Sequence, residues 1–194
     1  MSIPPKAKAE LEKLLQGNQN FINCTPTREN MCLETLKRYA YHQAPHACVL
    51  ACADSRVVPE IIFDCGIGEL FVVRVAGITT GPNIIESIEF AVKNLKVPLV
   101  VLLGHDDCGV MKHANAQHPA EPREFKSLMK CVYPALDGLN YKIHEDEVAK
   151  KHTGLVKEIL ERSEIIRQAV DAGETYLARC HFSHLTGVVE VLEN

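Results

Sequence analysis

A chain of 194 residues has room for one domain, and its net charge of −4 offers no bulk attraction to a phosphate backbone or an anionic lipid surface. Hydrophobic residues make up 46% and charged residues 24%, as in an ordinary folded protein, which excludes the disordered, collagen-like and coiled-coil classes. We therefore expect one domain over residues 1–194 that binds neither nucleic acid nor membrane.

The first predicted element is an N-terminal amphipathic helix. Apolar residues recur at helical spacing over residues 6–21, and Gly17 followed by Asn18 predicts that the helix ends there. Three apolar runs, each bounded by glycine or proline, then predict buried strands. These runs lie at residues 47–51, 70–75 and 99–103.

A second helix is predicted between the second and third strands. Residues 84–95 place their apolar side chains along one helical face, and residues 81–83 form its entry. A strand, a helix and a strand joined by short connections make a βαβ unit. Strands without polar residues are typical of a parallel sheet that is covered on both faces.

The C-terminal part predicts a helix at residues 155–170 and strands at 175–180 and 188–192. The turn at Thr186-Gly187 predicts that the last two strands pair antiparallel. The predicted fold is therefore α/β, with a mainly parallel central sheet of four parallel strands plus one antiparallel edge strand, flanked by helices. Residues 112–151 contain three prolines, and we expect helical pieces, loops and an arm for a partner chain there.

Eight cysteines beside nine histidines are the unusual feature of the composition. Residues 1–12 lack the apolar core and cleavage site of a secretory signal, and no apolar run approaches the ~18 residues of a membrane helix. We therefore expect a cytoplasmic protein, whose reducing surroundings favour free thiols and metal thiolates over disulfides. The cysteines lie at positions 24, 32, 48, 52, 65, 108, 131 and 180.

Candidate metal ligands directly follow two of the predicted strands. Cys52, Asp54 and Arg56 follow the first strand, and His105 and Cys108 follow the third. Ligands of open parallel sheets bind outside the carboxyl ends of the strands. Cys52, His105 and Cys108 form the Cys₂His composition of a catalytic zinc site, which leaves a fourth position for water or substrate. Either motif alone is weak, but the two together at strand ends indicate a metal site.

Two other cysteines are excluded as ligands. Residues 48 to 52 in an extended strand span ~13 Å, which is too far for Cys48 and Cys52 to share one zinc ion. We therefore assign Cys48 to the core. Cys65 precedes a Gly-x-Gly that lacks the third glycine of a dinucleotide fingerprint, because Phe71 stands there, and this pattern predicts a tight turn into the second strand.

The remaining histidines offer two further pairs, His113 with His118 and His181 with His184. Their spacing permits a second metal pair in each case. Short patterns of this kind arise often by chance, so surface or capped histidines are the favoured interpretation. No role is predicted for Cys24, Cys32, Cys131 or Cys180.

The ligand motifs resemble the paired zinc motifs of the β-class carbonic anhydrases. The residues concerned are Cys52-Ala53-Asp54-Ser55-Arg56 and His105-x-x-Cys108-Gly109. The resemblance continues through residues 71–77 and 87–92, and through Gly17-Asn18-x-x-Phe21 and Thr186-Gly187-x-Val189, so that nearly the whole chain is covered. One departure is Val75, where the family commonly has asparagine, and this departure bears on the pocket wall and on substrate preference.

The resemblance implies a zinc enzyme that hydrates CO₂ reversibly to bicarbonate and a proton through attack by zinc-bound hydroxide. It implies one Zn²⁺ per subunit held by Cys52, His105 and Cys108, and a homodimer or homotetramer. Family members occur with the aspartate of the first motif either bound to zinc or held away from it by the arginine. Asp54 and Arg56 are accordingly the expected catalytic residues, with Asp54 also a possible zinc ligand.

The residue types suggest how the Asp54 and Arg56 pair works. The guanidinium of Arg56 matches a carboxylate in bidentate fashion, so Arg56 is placed to hold Asp54. Our hypothesis is that Asp54 binds zinc at lower pH and yields to hydroxide as pH rises, because two thiolates already make the site anionic. The same thiolates should make this zinc a weaker acid than one held by three histidines. The alternative is that Asp54 and Arg56 form a structural ion pair only.

Two rival functions remain open from the sequence. One is hydrolysis of carbonyl sulfide or carbon disulfide on the same scaffold, since both are small linear heteroallenes like CO₂. The other is a non-catalytic zinc or redox-sensing protein that uses the surplus thiols and has four permanent protein ligands.

Overall fold

The computed structural model describes residues 2–27, 31–118, 124–137 and 144–193. Its centre is a five-stranded sheet with the strand order β2-β1-β3-β4-β5. The first four strands pair in parallel, and the fifth runs antiparallel to the fourth, which confirms the predicted α/β class. The strands are β1 (Ala47–Ala51), β2 (Leu70–Arg74), β3 (Leu99–His105), β4 (Tyr176–Phe182) and β5 (Val189–Val191).

Helices cover both faces of this sheet. They are α1 (Pro5–Ile22), α2 (Leu33–Arg38), α3 (Pro59–Ile62), α4 (Pro82–Lys93), α5 (Gly109–Gln117), α6 (Lys126–Leu136), α7 (Glu145–Glu161) and α8 (Glu164–Asp171). A short 3₁₀ turn at Ala76–Ile78 joins β2 to α4. Within the described ranges, no helix combines the length and the apolar character needed to cross a membrane.

The strand sequences explain the two-sided burial of the sheet. All five residues of β1 and all seven of β3 are buried, as expected for strands without solvent-facing positions. Alternate side chains serve opposite faces. Leu50 packs in the cluster that includes α4, α6 and α7, whereas Val49 packs in the cluster that includes α1 and α3.

The predicted end of the first helix at Gly17 and Asn18 is wrong, since α1 continues to Ile22. Gly17 lies so close to the next layer that a Cβ there would stand 1.9 Å from the carbonyl oxygen of Phe63. Asn18 is buried, and its amide donates to the carbonyls of Ile62 and Gly187 at 3.2 and 2.8 Å. These two residues serve close packing, so their usual helix-ending tendency is overridden.

The single helix predicted at residues 155–170 is also wrong, because the structure has two helices there. Ser163 interrupts the run, and its hydroxyl caps α8 by accepting from the amide of Ile166. The preceding helix α7 begins at Glu145, inside the stretch expected to hold helical pieces and loops. That stretch does contain helices, while its residues 119–123 and 138–143 fall outside the described residues, so the predicted partner arm stays a prediction.

Replacement of Asn18 should destabilise the fold. Its side-chain oxygen also accepts from the amide of Val189 at 2.9 Å, so Asn18→Ala leaves three backbone groups without their partner. Buried groups left unpaired cost about 1–3 kcal/mol each, and we expect a loss of about 2–4 kcal/mol after partial relaxation. Urea unfolding measures this loss. The control is Asn94→Ala at the exposed end of α4, and an equal loss in both variants would contradict the assignment.

His152 should make the stability of the fold depend on pH. It is 1% exposed on α7, and burial lowers its pKa to about 4 from an ordinary 6.5. Between pH 4 and pH 6.5 the unfolded chain binds a proton at His152 that the folded chain does not bind. The free energy of unfolding is therefore highest above about pH 6.5 and decreases towards pH 4, by on the order of 3 kcal/mol. Urea unfolding across this range should show a flatter profile for His152→Asn than for the parent. The exposed His42→Asn should keep the parental slope, and parental behaviour of His152→Asn would disprove the effect.

Candidate metal centre

The pairing of β1 with β3 places the two ligand motifs side by side. Ala51 lies opposite Leu103 in the parallel register, so the residues that follow each strand emerge at the same edge of the sheet. Cys52 follows β1 directly, and His105 is the last residue of β3. Cys108 comes three residues later, at the residue before α5, and this short turn brings it back to the same edge.

Cys52, His105 and Cys108 form a compact group of potential metal donors. One donor atom from each residue lies within 4.8 Å of the other two, and all three residues are buried. Donors at tetrahedral corners around zinc with bonds near 2.3 Å are separated by about 3.8 Å. The spacing of the group is therefore compatible with one shared zinc ion. Asp54 does not belong to this group in the structure.

The backbone carbonyl of Asp106 determines which ring nitrogen of His105 carries the proton. Its Nδ1 lies 2.7 Å from the carbonyl oxygen of Asp106, and because a carbonyl only accepts, Nδ1 carries the proton and donates. The other nitrogen, Nε2, is buried and has no hydrogen-bond partner among the described residues. A buried lone pair without a donor is costly, and a metal ion beside two thiols satisfies it.

The two sulfur atoms interact with each other. The Cys108 thiol donates towards the Cys52 sulfur, and this interaction lowers the pKa of Cys52. The same interaction, together with burial, raises the pKa of Cys108. A buried thiolate stabilised in this way is a suitable ligand for a divalent cation such as zinc.

The 3₁₀ turn after β2 supports the sulfur of Cys52. The backbone amide of Gly77 donates to this sulfur at 3.3 Å, which stabilises the thiolate form. Gly77 has a φ of +65°, and a Cβ there would lie 2.7 Å from Cγ1 of Val110. The donors also border a cavity of about 10 Å³, which is the room needed by one water-sized occupant. A larger residue at position 77 would move this amide away from the site.

Asp54 and Arg56 form a bidentate ion pair beside the donor group. Nε and one terminal nitrogen of Arg56 donate to the two carboxylate oxygens at 3.0 and 2.8 Å, and the Arg56 amide donates at 2.9 Å. These bonds hold the pKa of Asp54 well below its usual range. Arg56 also donates to Asp107, at 2.9 Å to the carboxylate and 3.3 Å to the carbonyl. Sequence reasoning paired Arg56 with Asp54 alone.

A second arginine fixes the loop that carries Asp54. Arg74, the last residue of β2, donates from Nε to the carbonyl of Cys52 at 3.0 Å and from a terminal nitrogen to that of Asp54 at 2.6 Å. The loop after β1 is therefore tied to the neighbouring strand by side chain as well as by the ladder.

The other cysteines divide by burial. Cys48, Cys65 and Cys180 are buried, and burial is the main reason that the pKa of each rises to about 12. The Cys65 thiol donates to the carbonyl of Phe63 in the turn that leads to β2. Cys24 and Cys32 are exposed. Within the described ranges, these five cysteines belong to no cluster of metal-type donors.

Among the described residues, neither of the two further histidine pairs shares a group of three or more close metal-type donors. His113 contacts Gln117, and His118 contacts Asp137. His181 is buried, and its Nε2 lies 2.7 Å from a carboxylate oxygen of Asp106. His184 packs its ring 5.0 Å from the ring of His105.

Asp106, Asp146 and His181 form a second group of close donors at the same edge. Hydrogen bonds within the protein account for their proximity. The amide of Asp107 donates to Asp146 at 3.0 Å, and His181 donates to Asp106, whose carbonyl in turn orients His105. The sequence motif contains Asp106 and Asp107. Their partners, His181 on β4 and Asp146 on α7, are distant in sequence and come close only when these elements pack together.

Comparisons with known proteins relate the chain to one family. A family model described as carbonic anhydrase matches residues 47–189. A carbonic anhydrase of Mycolicibacterium smegmatis is 35% identical over 192 residues, which cover 94% of this chain and 92% of the relative. Carbonic anhydrase 2 of Mycobacterium tuberculosis is 44% identical over 108 residues, which cover 56% of this chain and 52% of that protein.

Solved structures show the same fold. The Coccomyxa β-carbonic anhydrase in complex with acetazolamide has a TM-score of 0.73 at 25% identity, covering 95% of this chain and 86% of that one. A tetrameric β-carbonic anhydrase from Sordaria macrospora has a TM-score of 0.71 at 22% identity, covering 96% and 98% of the two chains.

Metal binding should depend on the two sulfur donors. We expect the parent to bind one zinc ion per chain, and Cys52→Ser and Cys108→Ser to lose affinity by more than about 100-fold, since even outer-shell changes cost 10–100-fold. Competition with a chromophoric chelator measures this affinity. Cys24→Ser removes an exposed thiol and should bind like the parent. Unchanged affinity after loss of either site cysteine would rule out the group as the metal centre.

Proposed function

The chain belongs to the β-carbonic anhydrase family and is an enzyme of the carbonate dehydratase type, and we propose that it carries out the zinc-dependent reversible hydration of CO₂ to bicarbonate and a proton. The observation that carries the zinc assignment is the buried Nε2 of His105, which faces two thiol sulfurs and has no other partner among the described residues. Two sulfurs and one imidazole nitrogen match the three-ligand composition of catalytic zinc sites.

Each donor residue has a defined task in this proposal. Cys52 and Cys108 hold the ion as thiolates, and His105 binds through Nε2 because its Nδ1 proton is engaged by the Asp106 carbonyl. Bound zinc supplies the Lewis acid that lets water act as hydroxide near neutral pH. The Gly77 amide and the Asp106 carbonyl keep two of the donors in the required orientation.

Asp54 and Arg56 are proposed to control the open side of the site. The Asp54 carboxylate stays ionised because Arg56 donates to both of its oxygens, so it accepts a hydrogen bond from the reacting water. In the conformation described here, Asp54 faces Arg56 and lies outside the donor group. We keep the hypothesis that Asp54 would act as a further zinc ligand at lower pH and would yield to hydroxide as pH rises.

The choice of CO₂ over other heteroallenes follows from family membership. The relatives reported above are named carbonic anhydrases, which favours CO₂ over carbonyl sulfide or carbon disulfide. The non-catalytic alternative requires four permanent protein ligands. The described group has three donors, and the fourth candidate, Asp54, is engaged by Arg56.

We extend the proposal to assembly and location. The Sordaria neighbour is described as tetrameric, which supports a homo-oligomer, and we propose a homodimer or homotetramer. We also propose a cytoplasmic location, because all cysteines of the described residues are free thiols and two of them are exposed.

The proposed activity is tested by CO₂ hydration with zinc content measured on the same samples. We expect the zinc-loaded parent to hydrate CO₂ and to prefer it to carbonyl sulfide. Asp54→Asn should retain zinc and lose at least about tenfold in turnover, since a positioned acceptor contributes 10²–10⁴-fold.

Asp171→Asn removes a distant exposed carboxylate at the end of α8 and serves as the matched control. A zinc-loaded parent without CO₂ hydration would overturn the function. Full turnover of Asp54→Asn would instead reduce Asp54 and Arg56 to a structural ion pair.

A further inference from the structure

We propose that Asp107 is a positioning residue that acts through Arg56, by fixing the guanidinium in the orientation that holds Asp54 outside the metal donor group. The inference rests on the proposed function, since it deepens the role given there to Asp54 and Arg56. It concerns a residue that neither the ligand set nor the Asp54 and Arg56 pair contains.

The side-chain hydrogen bonds of Arg56 are divided between two aspartates, Asp54 through its carboxylate and Asp107 through its carboxylate and its backbone carbonyl. Four of its side-chain N–H···O contacts are described, two to the Asp54 carboxylate and two to Asp107. A guanidinium has five N–H donors in one rigid plane. Because contacts to both residues arise from that plane, the position of Asp107 sets the rotation of the fork and therefore the position in which Asp54 is gripped.

Asp107 is itself held firmly enough to act as a fixed support. One of its carboxylate oxygens accepts from Arg56, and the other pairs with the ammonium of Lys112 on α5. Lys112 extends the network to Glu145 at 3.6 Å, and the Asp107 amide donates to Asp146 at 3.0 Å. Both of these acidic residues lie in the first turn of α7. Asp107 thus connects the guanidinium of Arg56 to the helices α5 and α7.

Solvent exposure explains why such a support matters. The Arg56 side chain is 47% exposed, whereas the Asp54 side chain is 17% exposed. A long exposed side chain with a single ion-pair partner gains little net stability, because screening and rotamer entropy oppose the pair. The second carboxylate makes a network, which restricts the guanidinium to one of its many rotamers. Without Asp107, Arg56 and the Asp54 carboxylate that it grips sample other positions.

The backbone of Asp107 makes a clean substitution available. Its φ is +56°, in the left-handed region that asparagine tolerates well and most other residues do not. Asp107→Asn therefore removes the charge while keeping the size and the backbone conformation.

The experiment compares zinc-loaded parent, Asp107→Asn and the control Asp171→Asn at one fixed pH. We expect Asp107→Asn to keep its zinc and its unfolding midpoint, and to lose three- to tenfold in kcat with KM within twofold, because fewer molecules hold Asp54 correctly. Asp171→Asn should behave like the parent. Parental kcat in Asp107→Asn, or an equal loss in Asp171→Asn, would overturn the proposal.

A second measurement does not depend on activity. The visible absorption of Co²⁺ in place of zinc responds to changes in the ligands around the metal. In Asp107→Asn, Asp54 is held less firmly outside the donor group and can approach the metal, so we expect its spectrum to differ from that of the parent. The spectrum of Asp171→Asn should match the parent. A loss of kcat with a parental Co²⁺ spectrum would show that Asp107 does not act on the position of Asp54.

A double-mutant cycle separates this inference from the proposed function. If Asp107 acts only through Arg56 on Asp54, then adding Asp107→Asn to Asp54→Asn changes neither kcat nor the Co²⁺ spectrum further. Additive losses would contradict the positioning role while leaving the proposed function intact. Full activity of Asp54→Asn alone would contradict the role of Asp54 in the proposed function, whatever the result at Asp107.

Discussion

The parallel pairing of β1 with β3 is the constraint on which the site depends. It sets Ala51 opposite Leu103, and Cys52 and His105 therefore leave the sheet as neighbours although the whole βαβ unit separates them in sequence. The pairing is stable because both strands are buried on both faces and carry no polar side chain before His105, the last residue of β3. Polar donors are tolerated at this depth only where the strands end, which is where the two motifs begin.

Around these donors, charge alternates outward in a continuous network. The buried centre holds the two sulfurs and the imidazole, the next layer holds Asp54 and Arg56, and beyond them Asp107 and Lys112 lead to Glu145 on α7. Within this network, Asp54, Asp107 and Glu145 each lie next to at least one cation. One set of ion pairs therefore links the loop after β1, the turn after β3 and the helices α5 and α7.

Sequence patterns predicted most of the fold and the grouping of Cys52, His105 and Cys108, and the failures have identifiable causes. The strands and the βαβ unit follow from apolar runs of ordinary length. Gly17 and Asn18 misled because their tertiary roles, close approach to Phe63 and buried hydrogen bonds, outweigh their local preference. Asp107 was inside a recognised motif, but its partnership with Arg56 joins positions 51 residues apart, and local spacing carries no information about such a contact.

Because the donors are far apart along the chain, a metal ion bound to them would also act as a cross-link. An ion held by Cys52 and Cys108 links residues on either side of β2, α4 and β3, so it closes a long loop of the polypeptide much as a disulfide does. A cross-link of this kind removes conformational freedom from the unfolded chain and favours the folded one. Because the described cysteines form no disulfide, a metal ion bound there would be the one covalent-like cross-link between distant segments of the described chain, and its removal would loosen the sheet as well as empty the site.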